Sequence, residues 1–222
     1  MVKILIEGYK LLFLGVNHLI NLFIWTSFFI FYNFIMDSFF KTLSPLAHLS
    51  KESQSALENI SKHSELPKGH TLVAQNTICH NLYFIEHGLT RTYYLKNGKD
   101  ITDWISTENT FAVSLISFIN RTPDRRMIEL LEPSIFYAFD YNDLENLCKK
   151  HHDIEHLVRK LVCLGFVQLQ NRFDDLHFAT AKERYKNLML HNPSIIQRVP
   201  LGMVASFLGM TQETLSRIRS QK

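Results

Sequence analysis

The sequence predicts an α+β fold in which a β-rich domain is followed by a long helix and a C-terminal helix-turn-helix domain. Short strand-like segments with glycine turns fill the middle, a proline-free apolar stretch follows them, and two short helical segments meet at a glycine near the end. These features divide the chain into residues 1–35, 36–150, 151–177 and 178–222. At 222 residues the chain can hold one or two domains with a real core.

The C-terminal segment has the spacing of two helices joined by a tight turn. Val204, Ala205 and Leu208 recur one helical turn apart, as a buried helical face requires. Gly209 follows as a left-handed C-cap, and Thr211 offers a hydroxyl N-cap to a second helix. The pattern predicts a helix-turn-helix, whose second helix can lie in the major groove of DNA. An ordinary αα-hairpin is the alternative.

The second of these helices has an apolar side and a polar side. Leu215 and Ile218, three residues apart, point back at the first helix. The residues on the other side can reach the edges of bases, since a glutamate accepts from cytosine and an arginine forks onto guanine. The candidate base contacts are Gln212, Glu213, Ser216 and Arg217.

Positive charge is concentrated at the same end of the chain. From Lys182 to Lys222, seven Lys or Arg stand against two Glu, a net charge of +5, whereas the whole chain carries only +3. A DNA-binding surface needs such cations for the phosphates, and Lys182, Arg198 and Arg219 are the candidates by charge and place. A solvated basic face is the alternative explanation.

The first 35 residues are strongly apolar, with no Asp, Glu, Lys or Arg between Leu11 and Ile35. The run is long enough for a transmembrane helix. It can be a true anchor, a hydrophobic extension that packs on the protein, or upstream sequence preceding a real start at Met36. We favour the third interpretation, because the lysines before and after the run balance and give no orientation bias.

The middle of the chain changes from helical to β-type periodicity. Residues 37–62 have leucines at helical spacing, whereas Asn97-Gly98 between two apolar runs is a strong hairpin signal. Regular short strands with glycine turns predict a sandwich or barrel. The predicted strands are Thr71–Val73, Leu82–Ile85, Leu89–Leu95, Ile101–Ile105 and Ile135–Phe139.

These motifs resemble the Crp–Fnr superfamily of bacterial regulators. The string Gly209–Ile218 is similar to the turn and recognition helix of that family, and the resemblance extends over residues 36–222. It implies a cytoplasmic transcription regulator that binds double-stranded DNA as a homodimer and works with RNA polymerase. It also implies that Gln212, Glu213 and Arg217 face the bases, although the best-known member has arginine where this chain has Gln212.

The string Leu82–Tyr94 resembles the cyclic-nucleotide-binding β-roll of the same superfamily. Ligand-binding members hold the ribose with a Gly-Glu pair and the cyclic phosphate with an Arg-Ser pair. This chain has Val113-Ser114 and Asp124-Arg125 at those positions. A one-residue shift could bring Arg125 or Arg126 into use, but nothing replaces the glutamate. We therefore expect no cyclic-AMP binding, and a β-roll kept as a scaffold or tuned to an unknown effector.

From Ile154 to Leu176 the apolar residues cover one broad helical face, with Gly165 inside it. A glycine there costs about 1 kcal/mol relative to alanine, which a close helix–helix approach would explain. In the family this helix pairs with its twin, so we expect a dimerisation helix over 151–177. The alternative is a core helix within one subunit.

No catalytic or metal-binding pattern accompanies these motifs, so we expect no enzyme activity, no cofactor and no metal. Cys79, Cys148 and Cys163 are scattered and odd in number, as buried free thiols of a reducing compartment would be. His80 and His87 lack metal-ligand spacing. Two rival functions remain. One is a membrane-tethered cyclic-nucleotide-type sensor that acts through a protein partner and contacts the membrane only through residues 1–35. The other is a degenerate barrel enzyme.

Overall fold

The computed structural model describes residues 36–221. It confirms the α+β prediction: two antiparallel sheets of four strands form the middle of the chain, and helices precede and follow them. The interpretations of residues 1–35 lie outside the described residues. Within residues 36–221, none of the helices has both the length and the apolar character needed to cross a bilayer.

The elements follow each other in a simple order along the chain. Two helices come first, eight strands follow with one short helix among them, and six helices complete the described chain. The helices are α1 Asp37–Leu43, α2 Lys51–Ile60, α3 Leu115–Asn120, α4 Tyr141–Lys150, α5 His152–Phe178, α6 Ala181–His191, α7 Pro193–Arg198, α8 Leu201–Phe207 and α9 Gln212–Ser220. The strands are β1 Ser61–Leu66, β2 Thr71–Val73, β3 Asn81–His87, β4 Thr90–Lys96, β5 Lys99–Ser106, β6 Thr110–Ala112, β7 Met127–Leu130 and β8 Ser134–Asp140.

The two sheets have the orders β1-β8-β3-β6 and β2-β7-β4-β5. Together with α3 we call them the β-roll. Strands β4 and β5 form the predicted hairpin, in which Asn97 and Gly98 have φ values of 51° and 73°. Positive φ at both central residues is what a two-residue hairpin turn of the right twist requires. The structure corrects one boundary, because Ser61-Lys62 belongs to a strand, not to the helical region predicted over residues 37–62.

The core of the β-roll lies between its sheets and under its helices. Aromatic residues dominate where α1 covers the first sheet: Phe39 packs edge-on against Phe84 and stacks on Phe139, with ring centroids 5.1 Å apart in both pairs. The start of α5 closes the same cluster with Ile154 and Leu157. The β-roll therefore holds the first turns of α5 rigidly.

The rest of α5 leaves this core. Eight large apolar side chains on it are between 39 and 79% exposed within the single chain. This exposure argues against the alternative that α5 is a core helix of one subunit. The eight are Val162, Leu164, Phe166, Val167, Leu169, Phe173, Leu176 and Phe178.

Candidate nucleic-acid interface

Helices α8 and α9 meet at a tight turn whose geometry follows from the sequence. Gly209 has φ +63°, a left-handed value that glycine adopts without strain, as predicted. The N–H of Met210 donates to the carbonyl of Ala205 at 3.0 Å and closes the end of α8. The Thr211 hydroxyl accepts from the N–H of Thr214 at 3.2 Å, which confirms the predicted N-cap of α9.

A single buried leucine holds α9 in place. Leu215 is fully buried against Val204, Ala205 and Leu208, so the apolar sides of the two helices face each other as their spacing predicts. From α6, the Arg184 guanidinium donates to the carbonyl of Leu208 at 2.7 Å and satisfies an otherwise unpaired acceptor at the turn. The pair is thus fixed both by apolar packing and by a hydrogen bond to the end of α8.

The other side of α9 faces outward. The four predicted base-contact residues are exposed, and they line a shallow open groove with Leu201 and Ser220. Hydrogen bonds at the start of the helix, from its backbone and from Thr211, lower the pKa of Glu213, so its carboxylate is ionised at neutral pH. The four are Gln212, Glu213, Ser216 and Arg217.

The three predicted phosphate contacts are placed differently from one another. Lys182 at the start of α6 and Arg219 near the end of α9 are exposed. Arg198, by contrast, is bound to Glu108 and Glu132 of the β-roll. In this conformation its guanidinium faces carboxylates, so the structure brings Lys182 and Arg219, but not Arg198, to a free surface.

The C-terminal helices lie directly on the β-roll. Helix α8 packs against β5, where the N–H of Thr102 donates to the Ser206 hydroxyl at 2.9 Å. Phe207 meets Trp104 of β5 edge-on, with ring centroids 6.4 Å apart. Arg172 of α5 completes this junction, since it donates to the carbonyl of Phe207 at 3.0 Å and lies over the Phe207 ring. Sequence reasoning gave no signal for this contact.

The positions that align with the family's cyclic-nucleotide cassette are occupied by the chain's own groups. The Ser114 hydroxyl donates to the Asp124 carboxylate at 2.8 Å, and Arg126 donates to the same carboxylate at 3.1 Å. Burial opposes ionisation of Asp124, but these hydrogen bonds outweigh burial and lower its pKa. Asp124 is therefore an anion held by the groups around it.

The two arginines that a shifted alignment could bring into use are also engaged. Arg126 pairs with Asp103 at 2.7 Å as well as with Asp124. Arg125 lies over the ring of Tyr94, with its guanidinium carbon 4.4 Å from the ring centroid. A cyclic phosphate at this position would compete with a carboxylate that is already bound.

The cysteines and histidines of the described chain form no metal site. All three cysteines are free, but the expectation that they are buried is wrong for Cys163, which is exposed; Cys79 is buried and Cys148 is partly buried. Burial raises the pKa of the Cys79 thiol. Between residues 36 and 221, no three His, Cys, Asp or Glu side chains are grouped as metal ligands.

Comparisons with known proteins agree with this architecture. Residues 63–151 match the cyclic nucleotide-binding domain family. The structure of FixK2 from Bradyrhizobium japonicum superposes with a TM-score of 0.63 at 15% identity, covering 73% of this chain and 84% of that one. A regulator from Eubacterium rectale assigned to the Crp/Fnr family gives 0.61 at 16% identity, with 78 and 83% covered.

A third similar structure is that of a sensor domain alone. The sensor domain of the transcriptional regulator DNR from Pseudomonas aeruginosa gives a TM-score of 0.52 at 18% identity, with 68% of this chain and 98% of that one covered. No curated protein matches the sequence. The chain thus carries a cyclic nucleotide-binding domain over residues 63–151 and has the fold of the Crp/Fnr transcription regulators.

Proposed function

We propose that this chain is a DNA-binding transcription regulator of the Crp–Fnr type and has no chemistry of its own. The observation that carries the proposal is the exposed polar side of α9, which the buried Leu215 holds against α8. A helix that packs on its neighbour through one side and exposes the other can present several side chains to base edges in the major groove. The charge of +5 from Lys182 to Lys222 supplies the attraction for phosphates. Such a regulator acts in the cytoplasm and works with RNA polymerase, as the family resemblance implies.

The test separates base reading from phosphate binding. Arg217 and Glu213 lie four residues apart and project from one side of α9. A bidentate pair between an arginine and guanine gives about 1–3 kcal/mol of discrimination. Arg217→Ala should therefore weaken binding to a selected duplex roughly ten- to a hundredfold while changing random-sequence binding little.

Lys182→Ala is the matched comparison, because Lys182 is exposed and is expected to meet only phosphate. It should weaken both duplexes alike and reduce the slope of log affinity against log salt by about one. The two duplexes are a random-sequence pool and the sequence that the wild-type chain selects from that pool. If Arg217→Ala leaves the ratio of the two affinities unchanged in a folded protein, α9 does not read bases.

We propose further that α5 pairs with its twin in a two-fold dimer. Five of its eight exposed apolar side chains recur every three or four residues and so form one stripe along the helix, which marks a surface for a partner: Val162, Phe166, Leu169, Phe173 and Leu176. Gly165 lies within the helix, and an added Cβ there would meet nothing within 4 Å in the same chain. The DNA site should accordingly contain two inverted half-sites about one helical turn apart.

Sedimentation of two matched variants tests the dimer. Phe166→Asp places a charge on the α5 stripe, whereas Leu95→Asp makes a similar change on β4, and the two side chains are 69 and 50% exposed. We expect Phe166→Asp to sediment as a monomer and Leu95→Asp to stay dimeric. A wild-type monomer at working concentration, with a single half-site in the footprint, would contradict this.

For the β-roll we propose a role without cyclic AMP. The supporting observation is that Asp124 stands where an arginine would hold the cyclic phosphate, and Ser114 and Arg126 already bind its carboxylate. Calorimetric titration with cyclic AMP should show no binding at micromolar concentrations. A micromolar dissociation constant would overturn the assignment of these positions.

A further inference from the structure

Arg198 connects the C-terminal helices to the β-roll through two carboxylates. Its Nη1 and Nη2 donate to the two oxygens of Glu108 at 2.9 and 2.5 Å, the two-pronged geometry in which guanidinium–carboxylate pairs are strongest. Its Nε donates to Glu132 at 3.3 Å, and Nη2 also contacts that residue. All three nitrogens of the Arg198 side chain are thus engaged by acids of the β-roll.

Both acids are held by the β-roll itself. Glu108 lies in the turn before β6, where one of its oxygens also accepts the N–H of Gly88 at 3.0 Å. The hydrogen bonds from Arg198 lower the pKa of Glu108 to about 2, so this carboxylate is charged throughout the physiological range. Glu132 lies in the turn between β7 and β8. The two side chains form a fixed acidic receptor for one arginine.

An apolar contact accompanies the ion pairs. Leu89, Ile105 and Leu131 of the β-roll belong to the same buried cluster as Val204 and Leu208 of the C-terminal helices. Phe207 packs against this cluster and also meets Trp104 of β5 edge-on. The C-terminal helices are therefore docked, and Arg198 supplies the charged part of the docking surface.

This docking opposes the attraction that DNA binding needs. The segment from Lys182 to Lys222 carries +5. Docking neutralises the cation at Arg198 and places a second carboxylate beside it. A phosphate that approached Arg198 would meet those carboxylates, and it could bind this guanidinium only if they released it.

We propose that Glu108 and Glu132 compete with DNA phosphate for Arg198, so that docking of the C-terminal helices on the β-roll restrains DNA binding. The inference rests on the proposed DNA-binding function. Because coupling between two binding equilibria is reciprocal, DNA also loosens the docked contact to the extent that the contact weakens DNA binding. An effector of the β-roll that moved either turn would raise DNA affinity without touching α9.

The experiment measures affinity for a random-sequence duplex at several salt concentrations. The double variant Glu108→Gln with Glu132→Gln removes both charges but keeps the shape of the side chains. We expect the affinity of the double variant for the duplex to be at least about fivefold higher than that of the wild type. The slope of log affinity against log salt should become steeper by about one, because Arg198 is then free to contact a phosphate. Glu145→Gln, an exposed acid on α4, is the control for loss of negative charge alone.

Arg198→Gln separates the inferred mechanism from general electrostatics. In that background the two glutamine substitutions should have no further effect on DNA affinity, since the group for which they compete is gone. Equal tightening with and without Arg198 would overturn the competition, as would unchanged or weaker binding by the double variant. Absence of DNA binding by every variant would instead refute the proposed function.

The fluorescence of Trp104 reports whether the C-terminal helices are docked on the β-roll, and this measurement needs no DNA. With Trp25→Phe, Trp104 becomes the single tryptophan of the chain, and it lies against Phe207 in the docked arrangement. The double glutamine variant should shift the Trp104 emission to longer wavelength, and so should DNA added to the protein with both glutamates intact. An unchanged emission in both cases would show that the C-terminal helices stay docked and would overturn the proposal.

Discussion

Replacing Gly88 by alanine tests how tightly the β-roll is packed beside the acid that holds Arg198. Gly88 has φ +105°, and a Cβ added there would lie 2.2 Å from the Ser134 hydroxyl oxygen and 2.8 Å from the Ser134 Cα. Ser134 is 1% exposed and lies in β8, so it cannot move aside. The unfavourable backbone conformation costs about 1–3 kcal/mol, and the overlap adds a further cost of about 1–3 kcal/mol. We expect Gly88→Ala to lower the free energy of unfolding by about 2–6 kcal/mol.

Two further substitutions separate these contributions. Gly69 also has a positive φ, +82°, but a Cβ there would meet nothing within 4 Å. Gly69→Ala should therefore show the backbone cost alone. Ser134→Gly removes the two nearest atoms and leaves the Cα, so it should recover part of the loss when combined with Gly88→Ala in a double-mutant cycle.

Urea unfolding followed by far-ultraviolet circular dichroism measures all of these variants. The midpoint should fall in the order wild type, Gly69→Ala, Gly88→Ala, with the slope unchanged. Equal losses for the two glycine variants, or a cycle with no coupling between positions 88 and 134, would refute the argument from overlap.

Three other outcomes follow from the burial and pairing of single side chains. Leu215→Ala should lower the free energy of unfolding by about 2–5 kcal/mol, more than the half-buried Ile218→Ala, as thermal unfolding can measure. Tyr137→Phe should leave that free energy unchanged or raise it by about 1 kcal/mol in the same assay, because the hydroxyl is buried without a hydrogen-bond partner in residues 36–221. The pKa of Glu108 is lowered from 4.5 to about 2 in the folded protein. The ionised carboxylate therefore contributes fully to the free energy of unfolding above pH 4.5, and this contribution is lost as the pH falls toward 2. The difference in unfolding free energy between wild type and Glu108→Gln should shrink over that range.

The strands that the sequence predicted are those with alternating or continuous apolar residues. The structure contains all five predicted segments as β2, β3, β4, β5 and β8, with boundaries that differ by at most two residues. It also contains three strands that sequence reasoning missed: β1, β6 and β7. Strand β1 reads Ser-Lys-His-Ser-Glu-Leu, which has no apolar pattern, and it is extended because it pairs with β8. Such pairing between distant segments overrides local preference and cannot be read from a short window.

The candidate site shows the same contrast between local features, which the sequence predicts, and contacts between distant residues, which it does not. The turn glycine, the N-cap threonine and the buried face of α8 and α9 are local features, and their spacing was enough to predict them. The pairing of Arg198 was not predictable in this way, because Glu108 and Glu132 are 90 and 66 residues away along the chain. A cation near a basic segment suggested phosphate binding, whereas the fold brings two acids to it.

The place where α8 rests on the β-roll has a further consequence for handling the protein. Strand β5 lies at the edge of its sheet, and the Ser206 hydroxyl accepts from the N–H of Thr102 on that strand. An uncovered sheet edge offers its unpaired amide groups to any other extended chain, which is a common route to aggregation. Helix α8 thus covers the edge strand β5, in addition to its place in the C-terminal helices. A chain shortened to end after α5 would lose this cover, and charged substitutions along β5 would be needed to keep it from self-association.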